Sequence, residues 1–154
     1  MKSLARELAR DLANDLVDAF EESPTGVIDT LGSLIMRPAL AVSMTTPLDD
    51  VARLLLQNRV PAIAVIDGEH LCGVVTRTDV LRSLDENRAT AGDAMSLYVF
   101  ALPERASIEK AAALMAYEGV GQICVTGEGG VLLGMVSALD VARHYAVEAG
   151  YLVE

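Results

Sequence analysis

The sequence predicts an α/β (α+β) fold made of two β-α-β-β-α units that pack together with pseudo-twofold symmetry. The first observation is an internal repeat, because two stretches of the 154-residue chain align at a spacing of 60 or 61 residues. The second is that each stretch places short apolar runs between segments of helical periodicity. A unit of about 60 residues buries only about 60% of its unfolded surface, so the copies are expected to pack on each other. The best-matched pairs are Val65 and Val125, Gly73 and Gly134, Thr76 and Ser137, and Asp79 and Asp140.

The first copy begins with a short extended piece near residues 40–44 and continues into a helix. Thr46 offers a hydroxyl N-cap, Pro47 suits the first helical position, and Asp49 places a carboxylate in the first turn. Apolar residues then recur at helical spacing through about Asn58, which predicts a helix with one apolar face. These residues are Leu48, Val51, Ala52, Leu55 and Leu56.

A β-hairpin and a second helix complete the unit. The apolar run Val60–Ile66 is too short for an independent helix, ends at the turn pair Asp67-Gly68, and is followed by a second apolar run over 71–75. Thr76 then opens a helix. The second copy has Thr126-Gly127 in place of Asp-Gly, so its hairpin turn does not follow the same pattern.

Residues 3–22 predict an amphipathic helix outside the repeat. Leucines and Phe20 recur every four residues on one side, opposite a mixed and net acidic polar side. We expect this helix to cover part of the repeat core or a dimer partner, and the alternative is a docking helix for a regulated protein. The predicted division is therefore 1–32 for the N-terminal helix and linker, 33–90 for the first unit, and 91–154 for the second.

The acidity of the chain limits its partners. Twelve Lys and Arg face 22 Asp and Glu for a formal net charge of −10, and no block of basic residues is present. Such a chain lacks the basic surface that binding a nucleic-acid polymer requires. The longest apolar run covers 7 residues, whereas a membrane-spanning helix needs about 20. Because the first residues also lack the apolar stretch of a secretory signal, we expect a cytoplasmic protein without a membrane partner.

The cysteines and histidines form no catalytic or metal-binding motif. Cys72 and Cys124 lie in separate apolar strings, which favours buried, inert thiols in a reducing compartment. His70 lies in the hairpin loop and His144 on the last helix, where each is expected to be structural or solvated. A nucleotide hydrolase would need a base and a metal-binding carboxylate cluster, and neither is found. The sequence therefore predicts no enzyme activity, no metal and no required cofactor.

One seven-residue pattern ends the hairpin of each copy, GVVTRTD at 73–79 and GMVSALD at 134–140. The plain interpretation is structural, because a hydroxyl followed three residues later by a carboxylate is a common helix cap. The second interpretation is binding: a helix N-terminus attracts phosphate, a hydroxyl donates to phosphate oxygens, and a carboxylate accepts from ribose hydroxyls. Glycine before these groups allows close approach of the backbone. The doubled spacing favours binding, although descent from a duplicated stable fold would also produce it.

These motifs resemble those of the cystathionine-β-synthase (CBS) domain family, in which the domains occur in tandem pairs. Residues 34–84 match one CBS motif through Ile35-Met36, the run from Val60 to Gly68 and GVVTRTD. Residues 91–147 match a second through Ala94-Met95, Gly119-Val120-Gly121 and GMVSALD. The resemblance implies a regulatory module that binds an adenosine-containing ligand, such as AMP, ADP, ATP or S-adenosylmethionine, between the paired domains.

The resemblance also implies roles for particular residues. Thr76 and Ser137 would contact phosphate, and Asp79 and Asp140 would contact ribose. The adenine would be enclosed by two groups of residues from the extended pieces and the starts of the hairpins. They are Leu40 to Val42 with Val60, Pro61 and Ala62 in the first copy, and Val99 to Ala101 with Val120 to Gln122 in the second.

The two copies differ where charge would matter. The first has Arg77 and Thr78 inside its motif and Arg37 after Met36, whereas the second has Ala138, Leu139 and Ser96 at these positions. An arginine at a helix N-terminus neutralises phosphate in a way that alanine does not. We therefore expect the first site to prefer the more charged nucleotide, and the second to bind more weakly or to take an uncharged adenosyl ligand.

The sequence thus favours a non-enzymatic sensor of adenosine nucleotides that acts as a homodimer and signals to a regulated protein by a change of conformation. The alternative is a ligand-free structural or dimerisation scaffold, in which the motifs only cap helices.

Overall fold

The computed structural model describes residues 29–35, 39–97 and 99–153. The predicted helix over 3–22 and most of the predicted linker lie outside these residues. The first copy contains β1 (Ala41–Ser43), α1 (Leu48–Asn58), β2 (Ala62–Asp67), β3 (His70–Thr76) and α2 (Arg77–Glu86). A short helix α3 (Ala91–Ala94) precedes β4 (Ala101–Pro103), α4 (Ile108–Glu118), β5 (Gln122–Thr126), β6 (Leu132–Ser137) and α5 (Ala138–Glu148). The predicted β-α-β-β-α order is confirmed in both copies.

Each copy folds its three strands into one sheet in sequence order. β1 runs parallel to β2, with Val42 opposite Val65, and β2 runs antiparallel to β3. β4, β5 and β6 repeat this pairing, with Leu102 opposite Val125. A parallel pair requires a crossover connection, which α1 and α4 provide. The second strand of each hairpin leads directly into a helix, β3 into α2 and β6 into α5.

The central strands β2 and β5 are covered on both faces. In β2, Ile63 and Val65 pack with Val51 and Leu55 of α1 in the first core. Ala62 faces the other way and packs in a third cluster, together with Val74 of β3 and Cys124 of β5. Burial on both faces explains why Val60–Ile66 is a continuous apolar run rather than an alternating one.

The third cluster joins the two copies, because its members come from both sheets. Partly buried side chains from both copies surround it, namely Leu71, Val99, Leu132 and Met135. The hairpins also meet through the backbone, since Leu132 N–H donates to the Glu69 carbonyl over 3.0 Å. The two small sheets thus share one interface, as their size requires.

Short segments cross between the copies at the edges of this interface. Leu31, in a 3₁₀ turn before the first copy, is fully buried in the second core, whereas Ala91 and Ala94 of α3 are buried in the first. After α3, Ser96 exchanges two backbone hydrogen bonds with Val74 of β3, over 2.9 and 3.1 Å. Each core therefore takes in a segment that lies before the other copy.

The motif glycines permit this crossing. A Cβ at Gly73 would lie 2.8 Å from Met95 Sδ and from the Ser96 carbonyl oxygen. A Cβ at Gly134 would lie 2.9 Å from Ile35 Cβ. The close backbone approach predicted at these glycines is therefore made by other segments of the same chain, at Met95-Ser96 and at Ile35.

The prediction that Thr46 caps α1 is wrong. Pro47 is the N-cap and its carbonyl accepts from Asp50 and Val51, so the helix begins at Leu48. The Thr46 hydroxyl instead accepts from the Ser43 amide over 3.2 Å. Leu48 N–H donates to the Ala89 carbonyl over 2.9 Å, which gives one orphan amide of the first turn a partner outside the helix.

The two hairpins have different turns. Gly68 adopts a positive φ of 62° between β2 and β3. The second hairpin forms through a longer loop that contains a 3₁₀ turn at Glu128–Gly130, where Gly129 and Gly130 have positive φ. Thr126-Gly127 thus ends β5 without itself making the tight turn. Among the described residues, no helix is long and apolar enough to cross a membrane.

Candidate functional site

The first motif forms a capping box at the start of α2. The Thr76 hydroxyl accepts from the Asp79 amide over 3.1 Å and donates to Asp79 Oδ2 over 2.9 Å, while the Thr76 amide donates to the same Oδ2 over 2.8 Å. The other oxygen, Oδ1, lies 3.8 Å from a terminal nitrogen of Arg82, and the Asp79 side chain is 14% exposed. The cap therefore fixes the carboxylate through one oxygen only.

The second motif repeats this geometry at the start of α5. The Ser137 amide donates to Asp140 Oδ2 over 2.8 Å, and the Asp140 amide donates to the Ser137 hydroxyl over 3.1 Å. The predicted structural role of both motifs as helix caps is confirmed.

A cleft of about 280 Å³ lies between the two copies beside the first motif. This volume is close to the lower end of the range for small-molecule sites, about 300 to 1,000 Å³. Polar groups from α2 and apolar groups from the second copy share its walls. The lining residues are Val74, Thr76, Thr78, Asp79, Arg82, Ser96, Val99, Phe100, Val120, Gln122, Cys124 and Met135.

Six of the predicted binding residues line this cleft, and they come from different copies. Thr76 and Asp79 belong to the first motif. The other four, Val99, Phe100, Val120 and Gln122, belong to the group expected around the adenine of the second copy. The structure thus pairs the polar motif of one copy with the apolar strand ends of the other.

The residues of the first copy that were predicted to enclose adenine lie next to the strand that carries the motif, but they do not line this cleft. Ala62 pairs with Thr76 across the hairpin, and the Pro61 carbonyl accepts from the Arg77 amide over 3.1 Å. Val42 is buried in the first core, against which Leu40 and Val60 also pack. On the second hairpin, Gln122 is similarly the strand partner of Ser137.

The structure places a different arginine at the cleft from the one predicted. Arg77 is exposed and its Nε donates to the Val60 carbonyl over 3.3 Å, so its side chain lies on its own hairpin. Arg82, one turn further along α2, lines the cleft. Arg37 lies outside the described residues.

Sequence reasoning missed Arg82, although the repeat contains a signal for it. Arg82 aligns with Arg143 in the second copy, three residues after the aspartate in each case. Residues three apart on a helix lie on the same face, so an arginine at this spacing stands beside the carboxylate. Phe100, in contrast, lies within the predicted range Val99 to Ala101 and lines the cleft.

The cysteines differ in burial. Cys124 is 1% exposed in the wall between the copies, and burial raises the pKa of its thiol to about 12. The predicted burial is therefore confirmed at Cys124. Cys72 is only half-buried, so the prediction of a buried thiol is wrong there, because β3 presents it near the hairpin end rather than between the sheets.

Two repeated α/β units, each with a capped helix after its hairpin, and a cleft between them define a paired-domain module. A family model of the CBS domain matches residues 31–86 and 91–147. The chain therefore belongs to the CBS domain family and contains two CBS domains in tandem, as the sequence motifs predicted.

Relatives share this module. The chain is 28% identical to an inosine-5'-monophosphate dehydrogenase of Korarchaeum cryptofilum, in a match that covers 71% of this chain and 23% of that enzyme. The chain thus spans less than a quarter of that relative's length. The CBS domain pair of protein MJ0100, solved with 5'-methylthioadenosine and S-adenosyl-L-methionine, superposes with a TM-score of 0.73 at 18% identity, over 79% of this chain and 99% of that one. CBSX2 in complex with AMP superposes with a TM-score of 0.70 at 25% identity, over 78% and 98%.

Proposed function

We propose that this protein is a non-enzymatic regulatory module that binds an adenosine-containing ligand, AMP, ADP, ATP or S-adenosylmethionine, between its two CBS domains. The observation that carries the proposal is the cleft itself, which is lined by Asp79 and Arg82 of the first copy and by apolar side chains of the second. A nucleotide has the matching combination of groups, because its ribose and phosphate are polar and its base has apolar faces.

Each part of the ligand has a chemically suitable partner. Asp79 Oδ1, which the capping box leaves uncommitted, accepts from the vicinal ribose hydroxyls. Arg82 and the N-terminus of α2 attract the phosphate. Val99, Phe100 and Val120 provide apolar contact for the adenine.

The ligands of related proteins support this assignment. The paired domains of MJ0100 hold 5'-methylthioadenosine and S-adenosyl-L-methionine, and CBSX2 holds AMP. We extend this class of ligand to the present chain.

CBS domain pairs generally act as regulatory modules, and we propose that ligand binding here shifts the relative arrangement of the copies to alter a partner's activity. The ligand does so only if it prefers one arrangement over the other.

The two sites are proposed to differ. Both motifs are followed by an arginine, Arg82 or Arg143, but only the first contains Arg77 and Thr78 in place of Ala138 and Leu139. We therefore retain the proposal that the first site takes the more charged nucleotide. Arg82 is its first candidate phosphate partner, and Arg77 requires a rotation away from Val60 to contribute.

A homodimer in the cytoplasm is the proposed working form. The neighbouring helices α1 and α2 expose Leu56 and Leu84 at 76% and 77%, and Leu81 at 66%. Covering these leucines in a dimer would stabilise it by about 25 cal/mol for each Å² of apolar surface removed from water. Light scattering after gel filtration is expected to give twice the chain mass, and Leu84→Glu is expected to give the mass of one chain. A wild-type monomer would contradict the dimer.

A thermal-shift panel distinguishes the sensor from a ligand-free scaffold. The ligands are AMP, ADP, ATP and S-adenosylmethionine, each added to wild type, to Asp79→Asn and to Asp85→Asn. Asp85 is an exposed control of the same charge on the same helix. Ligand at about 100 times its Kd stabilises by about 2.7 kcal/mol, or roughly 5 to 10 °C for a domain of this size.

We expect that shift for at least one ligand in wild type and in Asp85→Asn, and a smaller shift in Asp79→Asn. No shift with any ligand would favour the scaffold. An equal shift in all three proteins would move the site away from Asp79.

A further inference from the structure

Three side chains with metal-ligating atoms meet beside the last helix, outside the cleft. His144 Nε2 lies 3.7 Å from Asp29 Oδ2 and 3.4 Å from Glu148 Oε1. One ligand atom from each residue lies within 4.8 Å of the other two. In the part of the chain that the structure describes, no other group of three or more His, Cys, Asp or Glu residues is this close.

The fold holds these three residues in place. His144 and Glu148 are four apart on α5 and therefore project from the same face. The His144 side chain is 13% exposed, and its ring packs edge-on against Tyr145 with the centroids 5.3 Å apart. Asp29 is adjacent to a backbone bridge between Thr30 and Ser107.

The distances favour a shared ion over a direct ion pair. A hydrogen bond between a charged imidazole and a carboxylate has an N to O distance of about 2.7 to 2.9 Å, shorter than both distances at His144. Ligands placed about 2.0 to 2.2 Å from a tetrahedral zinc ion lie roughly 3.3 to 3.6 Å from each other. The two distances, 3.4 and 3.7 Å, are close to that separation.

The charges also favour a dication. Two carboxylates and a neutral imidazole carry two negative charges, which a divalent ion balances. The last turn of α5 has no basic residue, so its partial negative charge is not offset by a side chain of that turn.

We propose that Asp29, His144 and Glu148 bind one divalent transition-metal ion of the zinc class, with the remaining position open to water. Zinc commonly takes His and carboxylate ligands in such three-ligand sites, and the imidazole favours it over Mg²⁺. The bound ion links the chain entering the first copy to the last helix of the second.

The test is calorimetric titration of Zn²⁺ into the full chain, purified without a histidine tag and without nucleotide. We expect wild type to bind one ion per chain. His144→Ala is expected to lower the Zn²⁺ affinity by more than about tenfold, because loss of an outer-shell partner alone costs roughly tenfold. His70→Ala removes the other histidine, which is exposed at the start of β3, and is expected to bind as wild type does. Asp29→Asn changes a partly exposed side chain and is expected to weaken binding without unfolding the protein, as checked by circular dichroism.

Cobalt provides a second measurement. Four-coordinate Co²⁺ absorbs in the visible range, and we expect these bands in wild type and His70→Ala but not in His144→Ala. Equal Zn²⁺ affinity in the two histidine variants, no Zn²⁺ binding by wild type, or equal affinity for Mg²⁺ would each overturn the proposal. None of these outcomes depends on whether a nucleotide binds in the cleft.

Discussion

At the residue scale, the two carboxylate oxygens of Asp79 have different neighbours. Oδ2 accepts from the amide and the hydroxyl of Thr76, while Oδ1 lies toward Arg82. Capping and ligand binding are therefore compatible in one residue, although the sequence presents them as competing interpretations. The pattern of residues gives their spacing along the helix, but it does not say which oxygen the cap uses.

Loss of the cap hydroxyl is expected to be measurable as stability. Thr76→Ala removes the acceptor of the Asp79 amide, so we expect the free energy of unfolding to fall by about 1 kcal/mol. Urea denaturation followed by circular dichroism measures this change. Thr78→Ala, which lies two residues further along on the exposed surface, is the control. Unfolding of both variants at the same urea concentration would contradict the role of the cap.

The two cysteines are expected to react differently in the folded protein. Burial leaves Cys124 1% exposed and raises the pKa of its thiol to about 12, so little thiolate forms near neutral pH. Iodoacetamide under native conditions is therefore expected to alkylate the half-buried Cys72 and to spare Cys124, as read by peptide mass spectrometry. Both should react after unfolding. Equal alkylation rates of the two cysteines in the native protein would show that the interface between the copies opens and exposes Cys124.

At the element scale, the hairpins and helices could be predicted because their signals are local. Apolar runs and turn pairs predicted the strands. The hydroxyl caps Thr76 and Ser137 were correctly placed before helices. The start of α1 could not be predicted in the same way, because its first amide donates to Ala89, forty-one residues away in sequence. Local residue preferences contain no information about such a partner.

The crossing of α3 past β3 is expected to depend on Gly73. An alanine there would place its Cβ 2.8 Å from Met95 Sδ and the Ser96 carbonyl, so we expect Gly73→Ala to lower the free energy of unfolding by about 1 to 3 kcal/mol. The control is Gly121→Ala, because Gly121 has no neighbour within 4 Å of the added Cβ and no positive φ. Thermal and urea unfolding measure both variants. Equal stability of the two would mean that the segment moves away at little cost.

At the scale of the whole molecule, self-comparison identified the repeat but not the composition of the cleft. The alignment shows that Val120 and Gln122 correspond to Val60 and Ala62. It does not show which copy's strand ends face which motif. Residues that align in the repeat occupy equivalent positions, but they need not be neighbours in space. In the structure the motif of the first copy lies against the second copy. A ligand in this cleft would contact both copies at once, which is the physical basis of the proposed signal through their relative arrangement.

Calorimetric titration of AMP into Gln122→Trp tests this shared cleft most directly. Gln122 reaches the cleft from the second copy, while the proposed ribose partner Asp79 belongs to the first. A tryptophan suits a strand and fills the space, so we expect AMP affinity to fall at least about tenfold, as in Asp79→Asn. Lys110→Trp, on the exposed side of α4, is expected to bind AMP as wild type does. Unchanged AMP affinity in a folded Gln122→Trp protein would contradict a site built from both copies.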